Sequence, residues 1–159
     1  MRPDEPNPYP GVPRAYELAR DSYDLMMRRY EFALLRVQTI AGLATTVAVA
    51  APAIAQSRST AVEFRDPRLY GALGAVALIL FILLAVHIVG PMILISPKQL
   101  YDGWLHLTDS EFQAQYVYWA GVHFQRNARA VWWKSSLGNL ASFLLLIEGA
   151  LLVWWVGAT

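Results

Sequence analysis

The chain has 159 residues, 56% of them hydrophobic and 16% charged, with 13 Lys and Arg against 12 Asp and Glu for a formal net charge of +1, and it has no cysteine. That balance leaves room for one domain, gives no electrostatic reason to expect DNA or RNA, and excludes a disulfide framework, a Cys-based metal site and a thiol nucleophile. The hydrophobes gather into three long blocks with nearly all the charge between them, so the expected class is an all-α integral membrane protein whose apolar solvent is the lipid bilayer.

Residues 1–13 carry Pro3, Pro6, Pro8, Pro10 and Pro13 with Gly11, a spacing that denies helix hydrogen bonds and predicts a disordered Pro-rich tail. Residues 14–36 read as a cytoplasmic helix, in which Arg20, Asp24 and Arg28 alternate in sign at the four-residue spacing of helix neighbours. The first transmembrane helix is expected over 37–56: Val37 to Ala55 is an uncharged run of nineteen residues, close to the roughly 20 that cross a hydrocarbon core. Its Gly42, Ala44, Thr45, Thr46, Ala48, Ala50 and Ala51 are small enough for close helix approach, and Pro52 is expected to end it. A short external loop follows at 57–68. The second transmembrane helix is expected over 69–95, the longest apolar run, with a lone His87 and with Gly90-Pro91 near its end. Residues 96–136 form a cytoplasmic helical connection and 137–157 the third transmembrane helix, after which the chain stops at Gly157-Ala158-Thr159. The expected architecture is therefore three transmembrane helices plus an N-terminal helix and a cytoplasmic amphipathic helix.

Lysine and arginine set the expected orientation, because short cytoplasmic segments are enriched in them. The N-terminal segment and the long connection hold ten, and the first loop holds Arg58, Arg65 and Arg68, which places the N-terminus inside and the C-terminus outside. Trp132-Trp133 and Trp154-Trp155 then fall at the two interfaces, as amphipathic aromatics do.

Within the connection, Thr108-Asp109-Ser110-Glu111 is a capping-box pattern that starts a helix. Along that helix Phe112, Tyr116, Trp119 and His123 recur at intervals of four, three and four and form one aromatic stripe. Two readings stand: packing against the N-terminal helix, or an aromatic wall for a nucleobase, with Trp119 and His123 stacking and Arg126, Asn127, Arg129 and Lys134 supplying anion contacts. Positive-inside topology and snorkelling to lipid phosphate also account for the basic residues. In the last span Glu148 sits where an ionised carboxylate costs at least about 2.5 kcal/mol. Counting rise per residue puts His87 at a similar depth, near enough to pair with it. Either Glu148 is a polar point in a pore or gate, or it bonds a neighbouring helix. Catalytic and metal signatures are absent: there is no Gly-rich phosphate loop, no metal-spaced histidine pair and no Gly-x-Ser-x-Gly elbow. The expectation is a protein that is not an enzyme and needs no cofactor.

The order of parts, with Ser96-Pro97-Lys98-Gln99-Leu100, the acid-capped start Asp109-Ser110-Glu111-Phe112, and Asn127 and Lys134 ahead of the last span, resembles a family of small bacterial antiphage membrane effectors. These are the Pycsar transmembrane effectors and related membrane effectors of cyclic-oligonucleotide systems, and the likeness covers about residues 20–157. The resemblance implies a multi-pass protein of the bacterial inner (cell) membrane. There a homo-oligomer would answer a cyclic-nucleotide signal from a cytoplasmic synthase by oligomerising or rearranging until the membrane leaks, a form of abortive infection by pore formation. No ligand-binding domain is appended, so the helical connection or a separate partner would sense the signal. A structural or accessory subunit of a larger membrane complex is the alternative.

Overall fold

The computed structural model describes residues 10–58, 66–88, 90 and 92–158; the side chain of Arg58 is outside that description. Over these residues the chain forms four helices and no strand: α1 (Val12–Arg58), α2 (Pro67–Ile88), α3 (Pro97–Gly103) and α4 (Asp109–Ala158). Three of them, α1, α2 and α4, are long and apolar enough to cross a membrane. Of the proline-rich tail, residues 1–9 lie outside the description, as do residues 59–65 of the first loop.

Several boundaries differ from the sequence expectation, each for a local reason. The first helix begins at Val12 rather than 14 because Pro13 falls in its first turn, where a missing N–H has no partner to lose. It is one helix of 47 residues, and Pro52 lies inside it instead of ending it. The residues flanking that proline, Ala51 and Ala55, are buried against Leu69, Ala72, Leu152 and Trp155, so packing holds the helix past the lost hydrogen bond. α2 starts at Pro67, two residues earlier than expected. Asp66 caps it, accepting the Arg68 N–H at 2.7 Å on Oδ1, and proline takes the first helical position. The apolar run 69–95 is helical only through Ile88, and residues 92–96 have no regular structure. Its sequence reads Gly90-Pro91, and proline disfavours helix at the residue before it. A short helix then starts at a full capping box: Gln99 N donates to Ser96 Oγ at 3.2 Å, and Ser96 N donates to Gln99 Oε1 at 3.1 Å. Finally, the connection's helix and the third span are one, α4, 50 residues long with no proline in it. Its glycines weaken a helix without breaking it.

The chain divides into two compact units, residues 1–29 with 91–131, and residues 30–90 with 132–159. In the first, the aromatic stripe of α4 packs against α1: Tyr16 stands edge-on to Phe112 and Tyr116 at 6.5 and 5.0 Å, and Tyr23 meets Trp119 at 5.6 Å. The packing reading of the stripe is the arrangement seen. In the second unit Val37, Ile40, Ala41 and Ala44 of α1, Val76, Ile79, Ile82 and Val86 of α2, and Ala141 of α4 form one buried cluster. Small residues set the approach here. A Cβ on Gly138 would lie 3.6 Å from Val37 Cγ2, and one on Gly71 only 3.2 Å from Leu151 Cδ1.

Candidate functional site

Every seventh residue of α4 from Ala120 onward is buried: Ala120, Asn127, Lys134, Ala141, Glu148 and Trp155 are all between 0 and 5% exposed. A seven-residue repeat of buried positions is the pattern of a coiled-coil seam, and here three of its members are polar. Two of them bond backbone groups, and the third has no partner among the described residues.

In the first unit Asn127 repairs the irregular backbone after α2. Its Oδ1 accepts the Ile93 N–H at 2.9 Å and its Nδ2 donates back to the Ile93 carbonyl at 3.1 Å. Ile93 is in no helix, so these two backbone groups have no ladder partner and need one from a side chain. Nδ2 also donates to the Tyr23 hydroxyl, which itself donates to the Ile93 carbonyl at 2.9 Å. Burial pushes the Tyr23 hydroxyl up to about 12, aided by Tyr116 and opposed by the Asn127 hydrogen bond. Tyr116 is likewise raised, by burial first.

In the second unit Lys134 does comparable work at the end of α2. Its Nζ donates to the Val86 carbonyl at 2.7 Å and the Tyr30 hydroxyl at 2.9 Å, and it lies 4.2 Å from the Tyr30 ring centroid. Val86 is in the last turn of α2, where carbonyls lack an intrahelical donor and a cation suits the helix dipole.

Glu148 has no such task. It is fully buried, and neither carboxyl oxygen has a hydrogen-bond partner among the described residues; the Trp155 Nε1 is in the same condition. Asn127 and Lys134 each meet a tyrosine of α1 that lies 104 residues earlier. Continued through the second unit, that offset sets Val37 against Ala141, Ala44 against Glu148 and Ala51 against Trp155; the first and last of these pairs each share a buried cluster. On that offset Glu148 and Trp155 would meet alanine where Asn127 and Lys134 meet a tyrosine oxygen.

The expected pairing of His87 with Glu148 does not occur. The depth count assumed helix through residue 95, whereas α2 ends at Ile88, so His87 is in its last turn; its exposed ring Nδ1 lies 2.8 Å from the Leu83 carbonyl. Of the residues expected to contact a nucleotide, Trp119 and His123 come together, ring centroids 4.8 Å apart and both half-buried. Arg126 and Arg129 are exposed, while Asn127 and Lys134 face inward and are bonded as described. At the start of α4, Glu111 does return to Thr108, accepting its N–H at 2.9 Å and its hydroxyl at 2.7 Å. Those bonds hold its carboxyl below the usual range. The Thr108 hydroxyl is thereby spent on the carboxylate. The signal that could have found the inward polar residues was the spacing 127, 134, 141, 148, 155 itself.

Set beside protein-family models, curated proteins and solved structures, the chain matches none of them.

Proposed function

We propose that this is a multi-pass inner-membrane protein, N-terminus in the cytoplasm and C-terminus outside, that acts as the membrane-disrupting effector of a nucleotide-signalled antiphage system. It works by oligomerising or rearranging in the bilayer. The observation that carries the reading is Glu148, a buried carboxyl without a donor among the described residues, in a bundle of helices apolar enough to span a membrane. A polar group held this way gains free energy, on the order of 2 kcal/mol or more, when a rearrangement brings it to water or to a donor. The resting bundle therefore carries a bias toward opening. A homo-oligomer is supported by the other side of the first span: Ala44 and Ala51 are buried, but Gly42, Thr45, Thr46 and Ala50 are exposed along a groove of about 710 Å³ that a second helix of small residues can enter. The ten-to-three distribution of Lys and Arg supports the orientation. Arg126 and Arg129 are exposed and have no ion-pair partner among the described residues, which suits them to the phosphate of a nucleotide signal.

The test is ion flux and dye release from liposomes holding the full chain, with and without a panel of cyclic mono- and oligonucleotides, together with membrane potential in a bacterial host expressing it. Leakage that a panel member triggers and that Glu148→Gln alters is the expected result. Intact potential and tight liposomes under every member of the panel overturn the proposal. They would favour an accessory subunit of a larger membrane complex, a reading supported by large apolar side chains exposed on the first unit, among them Leu18, Tyr118 and Val122 at 63, 69 and 58%.

A further inference from the structure

α3 carries Lys98 and Asp102 four residues apart, the spacing that sets opposite charges side by side on a helix. They do not pair: the ion pairs among the described residues are Arg20 with Asp21 and Arg68 with Asp66. Instead both line an open pocket of about 500 Å³ in the first unit, together with Gln99, Trp104, Gln115 and Trp119. One cationic and one anionic side chain, left unneutralised by each other beside two indoles, are complementary to a ligand that itself carries both charges a few ångströms apart. The indoles favour the same ligand, because an ammonium is attracted to an aromatic face. Trp104 is fixed edge-on to Phe112 at 5.6 Å, and Trp119 is held between Tyr23 and His123, so both walls are formed before anything binds.

Two observations make that ligand a lipid rather than a free solute. In and around α3, Leu94, Tyr101 and Leu105 are exposed at 48, 73 and 70%, apolar side chains in the same short segment as the charged ones, as in segments that lie in a membrane interface. The chain also keeps them close to the bilayer: Ser96 is only eight residues past Ile88, the end of an apolar helix of spanning length, and an extended chain of that length reaches at most about 28 Å.

We infer that this pocket seats the phosphoethanolamine headgroup of a phospholipid, the phosphate on Lys98 and the ammonium on Asp102 and the tryptophan faces, with the acyl chains along Leu94, Tyr101 and Leu105. A primary ammonium donates three hydrogen bonds, which Asp102 and the Gln115 amide oxygen accept; a choline headgroup donates none and a glycerol headgroup brings no positive charge. The inference requires only that the apolar helices sit in a bilayer. A protein that never leaks ions still binds this lipid, so its failure and that of the effector reading are separable.

The experiment is native mass spectrometry of the full chain released from nanodiscs of equal parts phosphatidylethanolamine, phosphatidylcholine and phosphatidylglycerol. One phosphatidylethanolamine per chain should be retained at least about fivefold over either competitor, through charge-assisted contacts that each competitor can make only in part. Lys98→Ala and Asp102→Ala should each bring its retention down to the phosphatidylcholine level, and the double exchange K98D/D102K, which keeps both charges in the pocket, should restore it. Tyr101→Gln should weaken retention of the lipid while leaving binding of free phosphoethanolamine, read by ligand-observed NMR, unchanged. Equal retention of the three lipids, or indifference to both alanine variants, overturns the inference. Free phosphoethanolamine displacing the lipid at equal concentration also overturns it, in favour of a solute site.

Discussion

The two units treat buried polarity in opposite ways. The first closes a knot of neutral groups, Tyr23, Asn127 and the backbone of Ile93, in which each donor and acceptor meets another. The second buries two ionisable side chains on one helix, Lys134 and Glu148, fourteen residues apart, and satisfies only the first. Asn127 and Lys134 have the same explanation despite their chemistry: each serves backbone groups that lost their partners where α2 stops. Glu148 serves no backbone group, and so its presence is not explained by the fold. What separates the two cases is whether a backbone group would be orphaned on the residue's removal.

That distinction predicts unequal losses. The largest is expected for Lys134→Met, which keeps length and apolar packing but leaves the Val86 carbonyl and the Tyr30 hydroxyl without their shared donor. A loss of about 3 kcal/mol follows from two charge-assisted bonds in a buried site, measured by chemical unfolding in detergent micelles. A loss under about 1 kcal/mol would mean that the end of α2 is satisfied some other way. Asn127→Leu should cost less, about 2 kcal/mol, because Tyr23 still donates to the Ile93 carbonyl and only the Ile93 N–H is stranded. Hydrogen exchange at the Ile93 amide should accelerate roughly thirtyfold, while amides around Ile79 stay protected; uniform acceleration would tie the two units into one cooperative block.

Tyr23 gives the first unit a pH limit. Its hydroxyl is raised to about 12 in the folded chain against about 10 in an unfolded one. Folding therefore favours the protonated form. The contribution is fully present below pH 10 and is lost as pH rises from there through about 12. Absorbance at the tyrosinate band should show this late titration, and Tyr23→Phe should remove it at a cost of only about 1 kcal/mol at neutral pH, because the two groups that lose the hydroxyl, the Ile93 carbonyl and Asn127 Nδ2, stay bonded to each other. A Tyr23 that ionises near 10 would place it in water instead.

The helical class, the three apolar blocks and the aromatic stripe were legible because each depends on composition or on a single period. The ends of helices were not, since they turn on one or two residues in competition: packing of Ala51 and Ala55 outweighs Pro52, while nothing outweighs Gly90-Pro91. The inward Asn127 and Lys134 were misleading for a related reason. Read as chemistry they are ligand contacts, and only the knowledge that α2 ends at Ile88 shows backbone groups in need of them. Glu148 was legible as an anomaly from its place in an apolar run, but not its lack of a partner, which depends on the 104-residue register between α1 and α4.

The smallest expected effect is the sharpest test of that register. If Ala44 stands opposite Glu148, Ala44→Ser puts a hydroxyl donor on the carboxyl with one added atom, in a position that is now fully buried. A satisfied buried hydrogen bond contributes about 0.5–1.5 kcal/mol, from which the small loss of helix propensity of serine against alanine is subtracted. The folded bundle should therefore gain somewhat less than 1 kcal/mol. Ala41→Ser, one turn away and in the same buried cluster, offers its hydroxyl only to its own helix backbone and should give no gain. The same pair of variants separates structure from function. If the unmet carboxyl is what inclines the bundle to open, Ala44→Ser lowers ion flux without reducing the amount inserted, and Ala41→Ser leaves flux alone. If both serines behave alike in stability and in flux, Ala44 does not face Glu148 and the 104-residue offset does not hold that far along the helices.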